Sequence, residues 1–101
     1  MSSKFQEITQ EQLTFLQLKL NWQDYRIRRN IALSGMALNI LVHDTYPSVR
    51  QAVAFQGYGL DILVNDPDDD VKDIAKMIRK EQTYQKAKNI TNDIFRQAGC
   101  L

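Results

Sequence analysis

Apolar positions along this chain recur with two periods at once. Within short segments they step by three or four, the spacing that lines one face of an α-helix. Over longer distances whole blocks return after 22 residues. Leu38-Asn39-Ile40-Leu41-Val42-His43-Asp44 comes back as Leu60-Asp61-Ile62-Leu63-Val64-Asn65-Asp66, Val49-Arg50 as Val71-Lys72, and Gly35 as Gly57. Shifting back by the same period sets Leu16, Leu18, Leu20, Asn21, Ile27, Arg28, Ile31 and Ala32 on the block from Leu38 to Ala54. Self-similarity of this kind marks an architecture in which one unit cannot bury its own apolar face and stacks on the next. The pattern divides the chain into units at 13–34, 35–56 and 57–78, the first of them degenerate as terminal repeats tend to be.

Each unit reads as a short helix, a sharp turn and a second helix. Asn65-Asp66-Pro67 stops the first helix of the third unit, because proline lacks an amide hydrogen and disfavours helix in the residue before it. Asp68 is then a natural N-cap, and Asp69 and Asp70 suit the positive end of the helix dipole. Asp24 and Tyr46 hold the equivalent position in the other units, Tyr46 with Pro47 behind it. Ile27, Asn30 and Ile31, then Val49, Ala52 and Val53, then Val71, Ile74, Ala75 and Ile78 trace the inner faces of the second helices. Phe55 shares its phase with Leu33 and Met77 and is expected between units, while Gly35 and Gly57 suit the left-handed residue that ends a helix.

Two segments flank the units. Residues 1–8 read as a loose lead-in, followed by a capping box at Thr9 and Gln12 and a helix to about Asn21 with Leu13, Phe15, Leu16 and Leu20 on its apolar face. At the other end Tyr84, Ala87, Ile90, Ile94 and Ala98 step by three or four without copying the repeat. They predict a separate helix over 79–98, starting near Arg79 or Glu81 and stopped by Gly99, that caps the open end of the stack.

With 101 residues the chain is one domain, 1–101, with room for a modest core. Its net charge of +1 argues against a strongly basic nucleic-acid binder. Charge is nevertheless uneven, since 61–70 holds five acids and no base while 72–88 holds six bases against Asp73 and Glu81. The single cysteine, Cys100, cannot form an internal disulfide, and no apolar run suits a membrane span or a leader. A cytoplasmic protein, with no membrane partner, is the expectation.

The stretch Asp66-Pro67-Asp68-x-x-Val71-Lys72 and the small apolar helix after it resemble the HEAT-like helical repeats, and the 22-residue unit is most like their short relative, the leucine-rich repeat variant. The shared pattern sets an acid at the turn and a base six positions later, here Asp44 with Arg50 and Asp66 with Lys72. The resemblance implies an all-α, right-handed stack of about three two-helix units. It also implies a binding role and a ladder in which Arg28, Arg50 and Lys72 bond the acids of neighbouring units. The first unit departs from the pattern, with Trp22 where the acid belongs.

Little here suggests catalysis. Asp66, Asp68 and Asp70 alternate as calcium ligands can, but the positions that need a glycine and a bidentate acid hold Val71 and Met77, which leaves a turn and a helix cap. His43 is the lone histidine and shares its phase with Asn21 and Asn65, a polar turn position, so no metal cluster forms around it. Gly57-Tyr58-Gly59 is too short for a phosphate loop. No catalytic residue, metal or cofactor is expected. The expected role is a non-enzymatic protein-interaction module. It would be a small adaptor or stoichiometric inhibitor of a larger protein, of a size that phages and mobile elements carry. Trp22 and Tyr46, at turn positions, and Arg26, Arg29, Lys76, Arg79 and Lys80, off the core face, are its candidate contacts. Trp22 has packing against the N-terminal helix as an equal alternative. The same bases suit a phosphate-tracking surface, which makes a nucleic-acid binder the first alternative. A unit that self-assembles by its open ends is the second, with the chain otherwise a monomer or weak homo-oligomer.

Overall fold

Thr9 opens the first helix as its sequence suggests. Its hydroxyl accepts the backbone N–H of Gln12 at 3.2 Å, and the Gln12 side chain accepts the N–H of Thr9 at 2.8 Å. The computed structural model describes residues 7–97, with side-chain surroundings for residues 7–89. These residues form six helices and no strand: α1 (Gln10–Lys19), α2 (Tyr25–Leu33), α3 (Leu38–Leu41), α4 (Pro47–Phe55), α5 (Leu60–Leu63) and α6 (Asp69–Gln97).

Local chemistry accounts for most of the boundaries. Asp24 accepts the N–H of Arg26 at the start of α2, Pro47 is the first residue of α4, and Asp68 accepts the N–H of Val71 in the first turn of α6. Gly35 and Gly57 follow α2 and α4 with φ of 82° and 81°, a left-handed conformation that costs glycine little. A second left-handed residue precedes each short helix, Ala37 before α3 and Gly59 before α5. The two are not equivalent in their surroundings, because a Cβ on Gly59 would lie 2.7 Å from Cγ2 of the buried Val42. Gly59→Ala is therefore expected to lower stability by about 2 kcal/mol in a denaturant titration, the left-handed penalty plus overpacking. A loss no larger than a few tenths would show that Val42 moves aside.

Helices α2, α4 and α6 lie side by side with α4 in the middle, while α3 packs on α2 and α4 and α5 packs on α4 and α6. The layer between them is the core. Leu38, Leu41, Val49, Val53, Leu63 and Val71 are its largest fully buried side chains, and Ala32, Ala54 and Ala75 are fully covered as well. Ile31, Ile74 and Ile78 pack at its margin, whereas Asn30, on the expected inner face, is exposed. Small residues on the long helices let their backbones approach, which a volume-limited core of this size needs.

The flanks depart from expectation. Of the apolar face assigned to α1 only Leu13 is buried. Phe15 and Leu20 are exposed, Leu16 is half-covered, and among the described residues no helix packs along α1. What ties this end down is the residue pair ahead of the helix. Ile8 exchanges two hydrogen bonds with the Asn39 side chain, and the Tyr58 hydroxyl donates to Glu7 at 2.9 Å. Residues 7 and 8 are thus part of the fold rather than a loose lead-in.

No helix begins at Arg79 or Glu81. The second helix of the third unit and the expected capping helix are one continuous α6 of 29 residues. The reason lies at a single phase: Gly35 and Gly57 turn the chain after α2 and α4, and the residue one period further on is Arg79, which continues the helix. Every side chain from Arg79 to Asn89 is exposed, Tyr84 by 64%, so this stretch covers no open end. Gly99, Cys100, Ala98 and the Ile90 and Ile94 side chains lie outside the described residues.

Candidate interaction surface

Between the long helices runs a line of buried charge. The Arg28 guanidinium donates to both oxygens of Asp44, at 2.7 and 3.2 Å, and Arg50 does the same to Asp66, at 2.7 and 3.0 Å. Each arginine also reaches back to a main-chain carbonyl, Arg28 to that of Trp22 at 2.6 Å and Arg50 to that of Asp44 at 2.7 Å. The two sets are copies of one geometry. Trp22, which cannot supply a carboxylate, still supplies the carbonyl. Each aspartate uses its Oδ1 a second time, Asp44 for the N–H of Tyr46 and Asp66 for the N–H of Asp68. Bidentate forks of this kind fix orientation as well as attract. Lys72 does not extend the line. Its ammonium sits 3.5 Å from exposed Asp69 within the same helix, and Asp66 belongs to Arg50.

Burial alone would push the Asp66 carboxyl up, but the hydrogen bonds from Arg50 and the Asp68 amide, with the charge of Arg50, outweigh it and hold the group below its ordinary value of 3.8. The folded state then binds that proton less readily than the unfolded chain. The stabilisation is complete above the unfolded value and is lost as pH falls through the lower folded one. Urea titrations across the acid range should show stability rising with pH through that window, with a smaller slope in Asp66→Asn. An unchanged slope would remove Asp66 as its source.

The expected contact residues separate into three places. Trp22 is half-buried against the core, and with Tyr46, Arg28 and His43 it borders a depression of about 450 Å³ at the turn edge. There Tyr46 stacks flat on Tyr25, ring centres 4.8 Å apart, and Arg28 sits 5.4 Å from the Tyr46 ring centre. Trp22 and Tyr25 are half-buried, whereas Tyr46 covers the guanidinium with one face and is 47% exposed. Arg26 and Arg29 lie on α2; Arg26 is chelated by Asp24, whose carboxyl it holds below the usual range, and Arg29 is exposed. Lys76, Arg79 and Lys80 are exposed on α6, two helices away. The bases therefore form no continuous row. At the α6 positions equivalent to Arg26 and Arg29 stand Asp70 and Asp73.

Leu33, Phe55 and Met77, expected between units, instead face solvent, 48%, 51% and 55% exposed. They hold one phase on three adjacent helices, each the third member of an outward i, i+3, i+7 set: Arg26, Arg29, Leu33 on α2; Ser48, Gln51, Phe55 on α4; Asp70, Asp73, Met77 on α6. Leu33 and Phe55 share a groove of about 240 Å³ with Arg29, Ser48 and Gln51, and the Gln56 side chain donates to the Leu33 carbonyl at 3.1 Å. The signal for this surface was in the chain. An apolar residue whose neighbours four and seven positions back are charged or polar shares their outward face.

Among the described residues no three His, Cys, Asp or Glu side chains are grouped to hold a metal ion, and no helix is long and apolar enough to cross a membrane. No protein-family model, curated protein or solved structure matches the chain.

Proposed function

We propose that the chain is a short right-handed helical-repeat stack that acts as a non-enzymatic protein-interaction module, docking through the outward face of α2, α4 and α6. The observation that carries this reading is the row of Leu33, Phe55 and Met77. Single exposed apolar residues are ordinary, but three at one phase on neighbouring helices make a patch of the kind that marks contact sites. The buried Arg28–Asp44 and Arg50–Asp66 forks support it further, because they hold the three helices in fixed relation and so lower the ordering cost of binding. The interruption of the basic residues by Asp70 and Asp73 speaks against a phosphate-tracking surface, which needs an unbroken positive row.

A photo-crosslinking amino acid at Phe55, with His43 at the turn edge as the control position, tests the face in extract of the native host. A protein adduct from position 55 that survives nuclease and is absent from position 43 is the expected result. No adduct at 55, or one that nuclease removes, would overturn the reading.

A further inference from the structure

The outward face of α2, α4 and α6 has a charge order that its apolar row does not explain. Read across the three helices at one phase, Arg29, Gln51 and Asp73 run from cation through neutral to anion. Three residues earlier, Arg26, Ser48 and Asp70 repeat the order, with Arg26 already paired to Asp24 of its own chain, so Arg29 and Asp73 carry the argument. One turn later, the row ends in Leu33, Phe55 and Met77. Arg29 and Asp73 are both exposed, and neither side chain makes an ion pair or hydrogen bond among the described residues. They cannot meet within the chain, because α4 separates their helices and packed helix axes are about 8–10 Å apart.

We propose that a second copy of this chain covers this face, as a two-fold dimer whose axis runs along α4. The proposal rests on the interaction reading above and names the occupant of the surface. A face that changes from positive to negative across its width is complementary to itself when turned about a line through its middle. In a two-fold interface residue i meets j while j meets i. A rotation axis parallel to α4 keeps each residue at its level along the helices and exchanges α2 with α6. It sets Arg29 against the partner copy's Asp73 position, Arg26 against the Asp70 position and Leu33 against the Met77 position, each twice. Phe55 meets its own counterpart on the axis. The other in-plane axis, across the helices, would oppose α2 to α2 and arginine to arginine, which like-charge repulsion disfavours.

An end-to-end array is the less favoured assembly. Its buried bonds would need Lys72 to meet a carboxylate at the phase where the first unit carries Trp22. The face itself is three helices wide and about two turns tall, at the small end of specific interfaces, so the dimer should exchange with monomer at micromolar concentrations and weaken with salt.

Sedimentation equilibrium of the full chain, from micromolar to millimolar, is the test. The expected result is a reversible monomer–dimer equilibrium in which R29D or D73R alone weakens association by at least about tenfold, since each change replaces two attractions by two repulsions. The chain carrying R29D presents carboxylates at both ends of the row, and the chain carrying D73R presents cations at both. Mixed one to one, they should form a heterodimer that neither forms with itself, and R29D/D73R together should dimerise like the parent. Phe55→Glu, which sets two carboxylates across the axis, should abolish the dimer. Circular dichroism checks that the helices persist in each variant.

A chain that stays monomeric, a mixture that gains nothing, or association that ignores Phe55→Glu would overturn the proposal. A monomer that still crosslinks a different protein from position 55 would sink self-pairing alone. A monomer with no adduct would sink the interaction reading as well.

Discussion

Asp66→Ala should cost about 3 kcal/mol of unfolding free energy, against about 0.5 kcal/mol or less for Asp69→Ala three residues on. The two carboxylates differ in what their loss leaves behind. Asp66 is buried, accepts both branches of the Arg50 fork and also satisfies the Asp68 amide. Removing it strands a guanidinium whose side chain is 13% exposed, with only the Asp44 carbonyl to bond. Asp69 is 87% exposed and touches one half-exposed lysine at 3.5 Å. Against a total stability of roughly 5–15 kcal/mol the first loss is large and the second is hard to measure. Equal small losses in parallel urea titrations would mean that water reaches the Arg50–Asp66 fork. Replacing Arg50 and Asp66 together by Met and Leu should recover much of the cost, because two desolvated charges are removed at once.

Leu63→Ala should cost about 3 kcal/mol, and its neighbour Ile62→Ala less than about 1 kcal/mol. Leu63 is fully buried, one of the largest such side chains, on a helix of only four residues. Truncating it leaves a hole between α5, α4 and α6 that a turn so short is poorly placed to close. Ile62 points the other way and is 48% exposed. A thermal or chemical melt of both variants checks the inward face of α5. A reversed order would mean that the helix is rotated by about one residue, 100°.

Much of this was readable in the chain where the chemistry is local. Thr9 with Gln12, Asp24, Asp68, Pro47 and the two left-handed glycines each act within a few residues, and each is found where its spacing puts it. The inner face of α4, Val49 with Ala52 and Val53, followed from periodicity because neighbours cover it on that side. The departures share a different cause. Periodicity shows that Phe15 and Phe55 are apolar on a helix face, but whether a neighbour covers that face is a tertiary matter. For α1 no helix does, and for Phe55 the polar residues at 48 and 51 mark the face as outward. The break expected after residue 78 came from extending the repeat period past the point where its glycine is replaced by Arg79. With no glycine or proline between Asp68 and Ala98, nothing local stops α6. The fork geometry was half visible. The resemblance implied bonds from Arg28, Arg50 and Lys72 to acids of neighbouring units. Arg28 reaches Asp44 and Arg50 reaches Asp66, whereas Lys72 turns to Asp69 in its own helix. The carbonyl bonds that complete each fork had no signal in the side-chain pattern.

Those forks also set a rule for how such a chain can change length. Arg50 grips two points of the backbone path, the carbonyl of Asp44 behind it and the carboxylate of Asp66 ahead, and these lie 22 residues apart. Arg28 spans the same interval from Trp22 to Asp44. Inserting or deleting one residue within a helix of either interval shifts a guanidinium relative to one of its acceptors and turns the residues after it in that helix by about 100°. Adding or removing a whole interval leaves every surviving grip in register. Growth by duplication is therefore cheap for this chain in a single step size, and drift in length by any other amount is penalised at each buried arginine it crosses.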